Sequence, residues 1–145
     1  MASPRPGWLV ALCAAVLAVS VWLPWVTTSA DGGGRANAAG GVVGAVPTFD
    51  PGFGAGQLIV LLASTLVVAG AMTARGFSPR AAAGAALTIS LLIAALTVAF
   101  YRLHVIVPAT PAYGLYIAAG ATVAAVGCSV WAVLATALKV RAGAR

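Results

Sequence analysis

Hydrophobic and polar positions along this chain fall into long blocks rather than a short alternation. Four stretches, roughly Trp8–Val26, Gln57–Ala74, Ala81–Tyr101 and Tyr113–Leu138, contain no Asp, Glu, Lys or Arg. Every charged side chain lies between these blocks or at the chain ends. The hydrocarbon core of a bilayer is about 30 Å thick, so a helix that crosses it needs roughly 20 apolar residues. Each block is of that order. The pattern predicts four spanning helices, and because they fill most of the chain it predicts one membrane domain over residues 1–145. The expected fold class is all-α, an integral membrane four-helix bundle with one longer exported loop, residues 27–56, between the first and second helices.

Punctuation along the chain sharpens this reading. Ser3-Pro4, Ser78-Pro79 and Thr110-Pro111 each set a hydroxyl before a proline near the start of a span. That is the N-cap and N1 preference of helices. Pro24 lies in Trp22-Leu23-Pro24-Trp25, at the end of the first block. It removes a backbone donor and pushes the chain away from the carbonyl four residues earlier, that of Ser20. In lipid that carbonyl needs another partner, for which water or a nearby hydroxyl is expected. Pro24 therefore bends or ends the first helix and directs the departure of the exported loop. The first block is longer than the roughly 7–15 apolar residues of a secretory signal, so it is expected to stay as an anchor.

Within the 27–56 loop, which holds nine of the 17 glycines, the half from Asp31 to Gly41 reads as flexible. The other half is apolar, with Val42, Val43, Val46, Phe49 and Phe53. Such residues seek cover, either by folding back onto the helix ends or by docking on a partner.

The formal net charge is +6. Its placement is informative about orientation. Arg5, Arg75, Arg80, Lys139, Arg141 and Arg145 flank one set of helix ends, whereas the other set has Arg35 and Arg102 with both acids, Asp31 and Asp50. The positive-inside rule then puts both termini in the cytoplasm, and the expected location is the plasma (inner) membrane. The aromatics Trp8 and Trp131 at one level, and Trp22, Trp25, Phe100, Tyr101, Tyr113 and Tyr116 at the other, read as interfacial belts. No basic stripe with interleaved aromatics is present, so nucleic acid is not an expected partner; membrane lipids are, with the basic tail touching anionic headgroups.

Small residues recur at helical spacing: Ala11 and Ala15, Ala14 and Ala18, then Thr65, Ala69 and Thr73, Gly84 and Thr88, Gly114 and Ala118, Gly120 and Ala124. In lipid, close backbone approach at small residues drives helix association. Such faces suit both internal packing and an integral-membrane protein partner.

Chemistry is scarce. The chain has no Glu, two Asp and one His. Hydroxyls within the blocks (Ser20, Ser64, Thr65, Thr88, Ser90, Thr97, Thr122 and Ser129) have no neighbouring base by sequence and are expected to bond backbone carbonyls. His104, with Asp31 and Asp50, lacks the spacing of a zinc site. Cys13 and Cys128 read as small buried hydrophobes. No ionisable residue sits within a block, as proton-coupled transport would require. The expectation is a non-enzymatic protein without catalytic, metal or cofactor residues.

The Ala/Gly/Val-rich composition, with Trp22-Leu23-Pro24-Trp25-Val26 leaving the first span ahead of a glycine-rich exported loop, resembles small four-span membrane proteins of actinobacteria, including mycobacteria. That resemblance implies an accessory subunit of a large envelope machine, such as an Mce-type lipid importer or a respiratory supercomplex. The interaction residues expected on this reading are Trp22, Pro24, Trp25, Val46, Phe49, Phe53, Gly114, Ala118, Gly120 and Ala124. The alternative function is a small self-assembling channel or facilitator without ion coupling.

Overall fold

A computed structural model describes residues 5–46 and 54–144. Four helices, α1 (Pro6–Ser20), α2 (Ala55–Arg75), α3 (Pro79–His104) and α4 (Tyr113–Gly143), pack in a ring, each against its two neighbours in sequence, with α4 closing on α1. Three of them, α2, α3 and α4, are long and apolar enough to cross a membrane. The buried residues repeat at three- and four-residue spacing, as one face of a helix requires: Val10, Ala14, Leu17 and Val21 from α1 meet Ile59, Ala63 and Leu66 of α2, Ala86, Ile93 and Phe100 of α3, and Leu115, Ala118 and Ala125 of α4. Leu, Val, Trp and Tyr side chains cover the outward faces, as they do on a protein solvated by lipid tails.

The first block departs from expectation. α1 has 15 residues, about 22 Å at the helical rise, and stops at Ser20 rather than running to Val26. Proline explains the stop. Pro24 has no N–H to give Ser20, so the helical ladder ends there. Trp22 and Leu23 turn on 3₁₀-type bonds to Val19 and Ser20, and Pro24 opens a strand.

The connection between α1 and α2 is not the flexible loop expected over Asp31–Gly41. It folds into strands β1 (Pro24–Thr28), β2 (Gly34–Asn37) and β3 (Val42–Gly44), and the fold is therefore not purely α-helical. A two-residue strand from the second connection, β4 (Thr110–Pro111), completes an antiparallel sheet in the order β3-β2-β1-β4. The glycines that looked like a flexible tract serve the turns. Gly32 and Gly33, with φ of 88° and 85°, and Gly40, with φ of 100°, take backbone conformations that side chains resist.

Two of the expected caps also differ. Thr110-Pro111 belongs to β4, and α4 starts after Ala112, whose N–H donates to the Trp25 carbonyl at 2.8 Å. Ser78 precedes Pro79 at the start of α3 but makes no side-chain cap. Ser3-Pro4 lies outside the described residues. At the far end of α2, Gly76 adopts the left-handed conformation and Phe77 N–H donates to Met72 O, which closes the helix and turns the chain into α3 within three residues.

Candidate functional site

The sheet sits on one end of the helix ring and is stitched to it at several points. Gln57, in the first turn of α2, donates from Nε2 to Ala39 O at 2.9 Å and accepts from the Gly54 N–H at 2.7 Å. Thr110 Oγ1 donates to Thr27 O at 3.2 Å, and the Thr28 hydroxyl accepts from the Ala30 N–H at 3.2 Å. These bonds fix the α1–α2 and α3–α4 connections to each other and to the helices.

The two tryptophans of Trp22-Leu23-Pro24-Trp25 separate here. Trp25 turns inward and is wholly buried, its ring edge-on to Phe100 with centroids 4.9 Å apart. Its indole N–H donates to Ser20 O at 2.7 Å. Trp25 and Phe100 are thus core residues rather than interfacial anchors, because the chain reversal at Pro24 carries Trp25 back over the bundle. Phe100 in turn stacks on the His104 ring at 4.3 Å. Trp22 faces outward with 67% of its surface exposed. Trp8, Tyr101, Tyr113, Tyr116 and Trp131 are likewise exposed, as belt residues should be.

Between Trp22, Pro24 and the sheet runs a groove of about 410 Å³, lined also by Arg35, Val42, Val43 and Tyr113. Val43 is 63% exposed on β3, which among the described residues pairs only with β2 and so forms a sheet edge. An edge strand presents backbone donors and acceptors that another chain can pair with. Val46, two residues beyond the end of β3, is buried. The apolar half of the connection is therefore divided, with Val46 covered and Val42 and Val43 outward; Phe49 and Phe53 lie outside the described residues.

The remaining expected interaction residues also divide. Gly114 and Ala118 are buried, Gly114 where α4 meets β1. A Cβ on Gly114 would fall 2.5 Å from Pro24 O and 2.9 Å from Trp25 Cδ1, so glycine is what lets the strand cross the helix. Gly120 and Ala124 face outward, with nothing within 4 Å of a Cβ built on Gly120. One contact had been missed. Gly7 and Ala11 of α1 pack on Gly70 and Ala74 of α2, where a Cβ on Gly7 would approach Ala74 N to 2.5 Å. The paired Gly-x-x-x-Ala spacing of both segments was the available signal.

Chemically the site offers apolar surface, backbone polar groups and one guanidinium. Apart from Ser129, hydroxyls buried in the helices bond their own helix carbonyls, as Thr97 to Ile93 at 2.9 Å and Thr122 to Ala118 at 2.7 Å illustrate. Among the described residues no three His, Cys, Asp or Glu side chains come together as a metal site. Cys13 and Cys128 are free and half-buried on the facing helices α1 and α4. Compared with known proteins, the chain matches no family model, no curated protein and no solved structure.

Proposed function

We propose that this membrane-embedded chain is a non-enzymatic accessory subunit of a larger plasma-membrane complex, held by its helices and offering its sheet end to another integral membrane protein. The observation that carries this reading is the groove between Trp22 and the β3 edge, with Val42 and Val43 exposed on a sheet that hydrogen bonds hold rigid and Tyr113 exposed beside it at the start of α4. A surface ordered before binding loses little entropy on association. On this reading α1 is the fourth crossing, both termini are cytoplasmic and the sheet is exported. The distribution of Lys and Arg supports that orientation. The resemblance to small actinobacterial proteins favours an envelope assembly, such as a lipid importer of the Mce type or a respiratory complex.

The test is to place a photo-crosslinking residue at Trp22 or Val43 of the tagged protein, solubilise membranes gently and identify what is captured. The expected result is a defined heteromeric assembly with crosslinks to one integral membrane protein, reduced about tenfold by Val43→Arg, which sets a charge against an apolar contact. Recovery solely as a monomer or homo-oligomer would sink the accessory-subunit reading. A homo-oligomer that conducts solute would favour the channel instead, with the pore between copies, because Leu17, Ile59, Leu66 and Ile93 fill the interior of one.

A further inference from the structure

At the end of the bundle opposite the sheet, a cavity of about 460 Å³ opens among the start of α1, the α2–α3 turn and the last third of α4. Arg5, Arg75, Arg80 and Lys139 all line it, and Ala132, Ala135 and Val140 form its apolar wall. Asp31 belongs to the connection between α1 and α2 at the other end, and among the described residues no Asp or Glu side chain balances this cluster. Like charges gathered around one concavity repel, and an anion seated among them removes the repulsion.

The cationic groups are held in place by the fold. Arg5 donates from Nη1 to Ala74 O at 3.0 Å, across the packed start of α1 and end of α2, which commits one of its five donors and anchors the guanidinium at the rim. Small residues keep the space open: Gly7 and Gly76 from the flanking backbone, Ala132 and Ala135 from α4. Arg80 lies in the first turn of α3, whose N-terminus Ser78 leaves without a side-chain cap, so the helix dipole adds to the positive field there. Thr136 Oγ1 donates to Val133 O at 2.8 Å and keeps a lone pair for a water or a protonated ligand oxygen. Two turns further into the bundle on the same α4 face, Ser129 Oγ is buried with no hydrogen-bond partner among the described residues.

We propose that this cavity is a binding site for a phosphate group, with the phosphodiester headgroup of an anionic phospholipid as its occupant and the apolar α4 wall receiving the upper acyl chain. Basic pockets between membrane helices bind such headgroups where the helices leave the hydrocarbon. The proposal is independent of the docking role assigned to the sheet end.

Native mass spectrometry of the full-length protein in mild detergent tests it, with cardiolipin, phosphatidylglycerol, phosphatidylcholine and inorganic phosphate as probes. One anionic phospholipid per chain is expected to remain bound, at least tenfold more than phosphatidylcholine. Arg80→Gln with Lys139→Gln, both at exposed positions, should lower retention by tenfold or more, at roughly fivefold for each charge. Ala135→Phe should do the same by filling the cavity while leaving the charge unchanged. Equal retention of phosphatidylcholine, or undiminished retention in the double charge variant, would overturn the site. So would wild-type retention by a folded Ala135→Phe protein, since diffuse surface attraction would then account for binding. Lipid that survives excess inorganic phosphate assigns the headgroup as the natural source. Lipid displaced by phosphate supports the same site with a free anion as occupant.

Discussion

The indole N–H of Trp25 donates to the carbonyl of Ser20 at 2.7 Å, across the turn that Pro24 creates. Proline takes away the donor that would have continued α1, and the next residue supplies a replacement from its side chain. The bond thereby ends the helix, buries Trp25 against Phe100 and starts β1.

Trp25→Phe keeps an aromatic ring but loses this donor. Leu23 N–H still reaches Ser20 O at 3.0 Å, so the acceptor is not fully stranded. The expected loss is about 1–2 kcal/mol of stability, read as a lower melting temperature in detergent. Trp25→Ala should cost about 3–5 kcal/mol through the cavity it leaves. An unchanged melting temperature for both variants would show that the ring is not part of the core.

Gly114 and Gly120 lie on one helix and should respond differently to the same change. Gly114→Ala puts a methyl 2.5 Å from Pro24 O and is expected to destabilise by about 1–3 kcal/mol as the strand is pushed off α4. Gly120→Ala meets nothing and should leave the melting temperature unchanged or slightly raised. Equal effects at the two positions would contradict the crossing of β1 over α4.

Cys13 and Cys128 are free and half-buried on α1 and α4, two helices that pack against each other. Copper–phenanthroline should therefore oxidise the pair within one chain, two protons and two electrons passing to the oxidant. Maleimide labelling of both thiols would then be lost while the protein still runs as a monomer. In Cys13→Ser, Cys128 should stay reactive. Crosslinks formed solely between chains would disprove the packing of α1 on α4.

Orientation can be read with single cysteines at Ser29 and Arg141, in a protein carrying Cys13→Ala and Cys128→Ala. An impermeant maleimide is expected to label Ser29→Cys in intact cells, and Arg141→Cys only after permeabilisation. The reverse pattern would invert the topology drawn from the Lys and Arg distribution.

Helix existence was legible because charge-free blocks of this length have few other uses. Their ends were less so. The Trp8–Val26 block mixes an inward turn and a strand with a helix, and hydropathy does not distinguish apolar residues that face lipid from apolar residues that fold back over a bundle. Gly114 and Ala118 were identified as packing residues from their spacing, whereas Gly120 and Ala124, with the same spacing, face outward; spacing defines a stripe without saying which way it points. The β4 contribution was hidden because Thr110-Pro111 carries the signal of a helix start and only the neighbouring β1 makes it a strand.

By itself the sequence determined that the chain is embedded, where its charge is excluded and which end is basic, since transfer of charge into hydrocarbon is prohibitive whatever the fold. Only the tertiary structure decided which tryptophan is core and which is surface, which glycines are contacts, that the α1–α2 and α3–α4 connections share a sheet, and that four cations at distant sequence positions line one cavity. Each of these depends on segments meeting far apart in the chain, and neither hydropathy nor helical periodicity carries that information.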